Sequence, residues 1–270
     1  MAYWQDRMAR AQAIKYNKNR REIDKMMRKY YQSMSKQVIA DFEATYDKLV
    51  AGLLKGQQPS PADLYKLDKY WEMQKQLDQH LTRLGRKQIA ALTKQFKTQF
   101  WDVYNVVKID GLKVFSTIDD GAVEQLINQI WCADGQSWSQ RIWTNMAHLK
   151  ETLNEGLIHT VVTGKKTSDL KKELMNRFNV SYHRADTLVR TELAHIQTQA
   201  AQQRYKDYGI TEYEFYADPD ERTCEVCGKL HGKKFPIASA PKVPQHPNCR
   251  CAILPVVNTD KYVIEGLDDN

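Results

Sequence analysis

The sequence predicts a mainly α protein, a long helical body with a small, loop-rich α+β module stapled at the C-terminus by a cluster of cysteine and histidine. Three observations predict it. Apolar side chains recur every three or four positions over most of the first 208 residues, the spacing that lines one face of a helix. Six of the eight prolines fall at or after Pro219 and none lies between Ala62 and Asp218, so the architecture changes there. Four of the five cysteines sit between Cys224 and Cys251. On this reading the chain divides into a basic N-terminal helical arm (1–58), a helical body (59–180), a module with a long helix and the Cys/His cluster (181–257) and an acidic tail (258–270).

Residues 3–55 read as one long helix, in which Ile23, Met27, Tyr30, Met34, Val38, Phe42, Tyr46 and Leu49 form a packing seam. Before Ile23 the sizeable anchors are Tyr3, Trp4, Met8, Ile14 and Tyr16, and a segment so thinly anchored is expected to order against a partner. Gly52, Gly56 and the run to Pro61 break the pattern, and Ser60 with Pro61 starts the next helix as N-cap and N1. The periodicity then continues through Leu64, Leu67, Trp71, Leu77, Leu81 and Leu84, and on to Phe100, with Gly85 marking a turn or kink between two helices. Residues 103–122 contain short β-prone runs that also suit loop or helix ends, and their assignment stays open. Asp119 starts a helix to Ile130, and another from Ser139 carries Ile142, Trp143, Met146 and Leu149 toward Gly164, which stops it.

Thr167 opens a helix expected to end between Asn176 and Val180, and Ser181 begins a second one through Tyr182, Ala185, Val189, Leu193, Ile196 and Ala200. Residues 211–217 alternate polar and aromatic side chains, the period-two signature of a strand. Arg222–Phe235 reads as a knuckle and hairpin, with Gly228 at the position needing positive φ, and residues 252–257 as a short apolar strand.

Cys224-Glu-Val-Cys227, a 21-residue gap and Cys249-Arg-Cys251, with His246 just ahead, is the spacing by which two knuckles grip one tetrahedral zinc ion. Zinc is borderline-soft and imposes no geometry that resists a cage of thiolates and imidazole. Cys224 and Cys227 are the firm pair, and two of His246, Cys249 and Cys251 complete the site, with the spare one open. His231 reads as an exposed turn residue and the isolated Cys132 as a small buried hydrophobe. Four protein ligands leave no open position, so the zinc is expected to be structural. Catalysis would require a water ligand and a base; Glu221 and Glu225 are close in sequence, and nothing in the pattern singles them out.

The formal net charge is +7, and residues 1–50 carry eleven Lys/Arg against six Asp/Glu. Arg20, Arg21 and Lys25 are the candidate contacts to phosphate backbones or to an acidic partner. No apolar run approaches the roughly 18 residues that span a bilayer, and the first residues lack the apolar core of a secretory signal. Cytoplasm-like conditions are therefore expected, and they favour thiols and metal over disulfides. Arg190 and Glu192 are two apart on a helix and diverge by about 200°, so they are read as docking residues, Arg190 toward Asp186 and Glu192 toward His195 or the tail module.

Arg190-Thr-Glu192 in a long helix, Tyr208-Gly209, the aromatic strand, Asp220-Glu-Arg-Thr-Cys224, Cys227, Gly232, Phe235 and His246-Pro-Asn-Cys-Arg-Cys251 together resemble the phage Mu F-like minor head proteins of tailed phages. The resemblance covers residues 180–257, and the opening Tyr3-Trp4 with Arg7 is similar to members from phages of Gram-positive hosts. The family's usual pattern has an acidic or small residue where this chain has His231. The resemblance implies a minor capsid protein of the virion, present in the host cytoplasm during assembly, that associates with the portal protein and other procapsid proteins. In some members it implies contact with double-stranded DNA or an effect on its ejection. The competing reading is a metal-dependent nuclease or other nucleic-acid-processing enzyme, which would need an open metal position.

Overall fold

The computed structural model describes residues 3–51, 53, 59–109, 112–218 and 220–257. The break at Gly52 and Gly56, the side chains of Tyr3 and Trp4, and the acidic tail 258–270 lie outside what is described. The fold is mainly α. Its elements are α1 (Tyr3–Ala51), α2 (Pro61–Tyr65), α3 (Asp68–Val106), α4 (Asp120–Ile127), α5 (Trp138–Val162), α6 (Thr167–Asp207), β1 (Glu212–Tyr216), α7 (Glu225–Leu230), β2 (Lys234–Pro236) and β3 (Ala252–Pro255). The chain forms two compact, discontinuous units, Asp24–Ala91 with Trp138–Asp186, and Met1–Ile23 with Leu92–Ser137 and Thr187–Asn270.

The unit of Asp24–Ala91 and Trp138–Asp186 is a helix assembly. The α1 seam is buried at Met27, Met34, Val38, Phe42, Tyr46 and Leu49, with Tyr31 in the place expected for Tyr30. Spacings of three and four are interchangeable on a helix face, and here Tyr31 is drawn inward by a polar cluster. Asn145 Nδ2 donates to the Tyr31 hydroxyl at 3.1 Å and to the Ser181 carbonyl at 3.0 Å, while the Ser181 hydroxyl donates to Asn145 Oδ1 at 3.2 Å. Burial pushes the Tyr31 phenol up to about 12.

The same cluster corrects the expected end near Asn176–Val180. Phe178 and Ser181 are both buried, and α6 runs unbroken to Asp207. Gly85 likewise does not interrupt α3. A Cβ there would lie 2.5 Å from the Trp143 ring, so the glycine admits a close approach. Trp71, expected on the inner face, is 56% exposed, and Tyr70 and Met73 are buried instead. Ser60 caps α2 as expected, its backbone N–H donating to Asp63 Oδ2 at 3.0 Å.

In the other unit the N-terminal part of α1 is held by polar residues that the apolar pattern passes over. Gln12 and Asn19 are buried with Met8 and Ile23, and Asn19 Nδ2 donates to Gln99 Oε1 at 2.8 Å and Asp102 Oδ2 at 3.0 Å. Ile14, an expected anchor, is 65% exposed. The open stretch resolves without a strand among its described residues. After Val106 it runs irregularly to Asp119, which caps α4 by accepting from the Ala122 N–H at 2.8 Å. On the way the Phe115 N–H reaches the Asp207 carbonyl at 2.7 Å, satisfying the end of α6. Helix α4 stops at Ile127, short of the expected Ile130, which is exposed.

The three strands form an antiparallel sheet in the order β2-β1-β3. Its buried residues Tyr213, Phe215, Ile253 and Leu254 lie with Tyr205 of α6, whose hydroxyl donates to the Ile253 carbonyl at 2.8 Å. That bond ties β3, and the cysteines just before it, to the long helix.

Candidate metal centre

The local sequence builds the cluster from two short pieces. After β1 the chain enters α7 with Cys224 as N-cap, its Sγ accepting from the Cys227 N–H at 3.4 Å. One turn of helix thereby brings the Cys-x-x-Cys pair together. Gly228 lies inside α7, and the residue with positive φ is Gly232, at +75°. The helix continues one turn past Cys227 and moves the left-handed position to its end. His231 is turned away from the cluster, its Nδ1 accepting from the Ala217 N–H at 3.1 Å.

The second piece is the His246–Cys251 segment. Asn248 adopts φ of +59°, a conformation Asn tolerates, and its N–H donates to Thr191 Oγ1 at 3.2 Å. His246 Nδ1 lies 2.9 Å from the Pro247 carbonyl and donates to it, which leaves Nε2 as the free lone pair. That nitrogen stands 3.3 Å from Cys224 Sγ and 3.4 Å from Cys227 Sγ, and Cys227 Sγ lies 3.9 Å from Cys249 Sγ. Ligand atoms of Cys224, Cys227 and His246 form one group within 4.8 Å of one another, and those of Cys227, Cys249 and Cys251 form a second.

This donor set fits a metal ion. A tetrahedral zinc with ordinary bond lengths has ligand–ligand edges of about 3.6 Å (N to S) and 3.8 Å (S to S), close to the separations found. When bound, such an ion would cross-link α7 to the segment that leads into β3. The thiols are electrostatically unequal. The Cys227 N–H lowers the Cys224 pKa, the Cys251 thiol lowers Cys249, and burial raises Cys227. Cys251 is itself raised by the thiol–thiol contact with Cys249. The Pro247 carbonyl raises His246.

Around the cluster an ion-pair clasp closes the turn. Arg250 reaches Asp218 at 2.7 Å and Asp220 at 2.5 Å, and Arg222 reaches Asp220 at 2.7 Å. The two guanidiniums hold the Asp220 carboxyl well below the usual range.

The structure places Arg190, Thr191 and Glu192 where three different parts of this unit meet α6. The Arg190 carbonyl accepts from the Tyr16 hydroxyl at 3.3 Å, Thr191 receives Asn248, and the buried Glu192 carboxylate accepts from Trp131 Nε1 at 3.0 Å. The Trp131 ring stacks on His195 at 4.3 Å. Thr191 and Trp131 escaped the sequence reading, which carried no sign of either contact. Asp186 is half-buried one turn before Arg190. Of the basic candidates, Arg21 and Lys25 are exposed, and Arg20 is half-buried and lines a cleft that Cys251 also lines. Cys132 is a half-buried free thiol, less enclosed than expected.

Fold and site together define a mainly α protein with a C-terminal Cys/His cluster able to hold a metal ion. Residues 151–254 match the family model described as phage Mu protein F like protein. The matched span takes in part of α5, all of α6 and the whole cluster, and so begins well before residue 180. Searches of curated proteins and of solved structures gave no significant match.

Proposed function

We propose that this chain is a minor capsid protein of a tailed phage, a head morphogenesis component that acts by binding. The observation that carries the reading is the coincidence of the family match with α6 and the cluster it supports. In this account the portal protein and other procapsid proteins are the partners, the location is the capsid interior or portal vertex, and the exposed basic side chains of Arg21 and Lys25 offer a face to DNA. The metal is a structural zinc held by Cys224, Cys227, His246 and Cys249. Cys251 is the spare thiol in this account, because Cys249 Sγ lies 3.9 Å from Cys227 Sγ, close to the sulfur–sulfur edge of a zinc site. Glu225 pairs with Lys229 at 2.5 Å and Glu221 is exposed, so neither of these two carboxylates is held against the cluster.

The test is assembly. Phage lacking the chain should produce defective heads, and tagged chain should recover the portal protein from lysates of infected cells. Normal heads together with no portal recovery would refute the proposal. DNA cleavage by the purified chain, lost on Glu221→Ala or Glu225→Ala, would replace it with the nuclease reading.

A further inference from the structure

Beside the cluster, in the same unit, lies a cleft of about 350 Å³ lined by α1, α6 and the segments flanking the sheet. It is open because small side chains line it, Ala9 and Ala13 of α1, Ala194 of α6 and Ala252 of β3. Four arginines from three segments stand around it: Arg10 and Arg20 on α1, Arg222 before α7, and Arg250 before β3.

These four are not equivalent. Arg222 and Arg250 are occupied by Asp218 and Asp220. Arg10 and Arg20 make no ion pair among the described residues, and Arg20 Nε is buried without a hydrogen-bond partner. Gln197, which is 6% exposed and lines the same cleft, has a buried Oε1 that also lacks a partner. Buried polar atoms are nearly always satisfied, so an orphaned cationic donor and an orphaned acceptor on one open cleft point to a ligand that supplies both bonds.

The donor side selects the chemistry. More than one guanidinium on the cleft, here the two on α1, suits a tetrahedral anion, whose oxygens accept from several directions at once; a planar carboxylate is matched by one fork. The acceptor side asks for a hydroxyl or amino group on the same molecule. A cavity of this size is within the range that takes small organic ligands. We propose that the cleft binds a phosphate group carried by a ligand of nucleotide size, with Arg10 and Arg20 on the phosphate and Gln197 accepting from the remainder. The phosphate can belong to a free nucleotide or to a nucleic-acid strand. The proposal stands on the cleft alone and does not rest on the head-assembly reading.

Calorimetric titration of the full chain with inorganic phosphate, a nucleoside monophosphate, a short single-stranded oligonucleotide and acetate tests it, with circular dichroism confirming that each variant is folded. Phosphate and the nucleotide should bind and acetate should not. Arg10→Gln and Arg20→Gln should each weaken phosphate binding roughly tenfold or more, while Arg21→Gln, on the exposed side of α1, should leave it unchanged. Gln197→Leu, of similar volume, should weaken the nucleotide and spare inorganic phosphate, which keeps the test decisive where an arginine variant misfolds. Tighter binding of the oligonucleotide than of the nucleotide assigns the phosphate to a strand, and the reverse assigns it to a free ligand; either supports the site. Equal losses at Arg20 and Arg21, acetate binding as well as phosphate, or no binding of any phosphate compound would overturn it.

Discussion

Acid should destabilise this chain through one buried imidazole. His195 is 4% exposed, and its ring lies against Trp131 with 11° between the planes. Burial, aided by the charge of Lys242 and opposed by the Val243 backbone, pushes its pKa down to about 4 from 6.5. In the unfolded chain the ring regains its ordinary value of about 6.5. Between those two values the unfolded state binds the extra proton, so stability is full above the unfolded pKa and is lost as pH falls toward the folded one. The separation corresponds to a loss of ~2 kcal/mol at pH 5 and ~3 kcal/mol near pH 4. The assay is urea unfolding at pH 7 and pH 5 of the natural chain and of His195→Phe, which keeps a flat ring against Trp131 and cannot titrate. Acid also protonates the thiolates and imidazole of the cluster, but it does so in both proteins, and the difference between their pH responses isolates His195. The variant should lose ~2 kcal/mol less on acidification. Equal losses would refute the reasoning.

Other expectations follow from the cluster and the packing. Cys251→Ser should retain one metal ion per chain, because Cys251 is the spare thiol, whereas Cys224→Ser should lose most of its metal affinity; the opposite pattern in metal analysis would reverse the ligand assignment. Gly85→Ala gains about 1 kcal/mol of helix propensity but drives a Cβ to 2.5 Å from Trp143, an overpacking cost of about 1–3 kcal/mol. The net expectation is a loss of ~1 kcal/mol, read as a lower Tm, and a raised Tm would contradict it. Glu192→Ala strips the Trp131 indole of its acceptor and should cost about 1–3 kcal/mol in denaturant unfolding, and no change would show that contact to be idle.

The parts legible in the sequence were those whose signal is local. Met27 through Leu49 announce their helix because apolar residues keep the period, and Cys224 with Cys227 announce a metal knuckle because one helical turn closes the pair. Reading failed where a polar residue fills a core position or a turn former is enlisted for packing. Gln12 and Asn19 anchor the start of α1 through contacts that composition scores as solvated, and Gly85 is used for a tryptophan that follows 58 positions later in the chain. Ser181, a residue type that favours caps and turns, sits mid-helix because Asn145 satisfies it. Thr191 meets a residue 57 positions away and Glu192 one 61 positions away, and pairings at that range leave no periodic trace. The bond from His246 Nδ1 to the Pro247 carbonyl, which leaves Nε2 facing Cys224 and Cys227, is likewise something spacing does not reveal.

X-ray absorption at the zinc edge of the purified chain tests the central claim most directly, since it reads metal identity and ligand set together. The account predicts stoichiometric zinc with three sulfur neighbours at about 2.3 Å and one imidazole nitrogen at about 2.0 Å. Four sulfurs, an oxygen in the coordination shell, or cysteines oxidised to disulfides with no metal would contradict it.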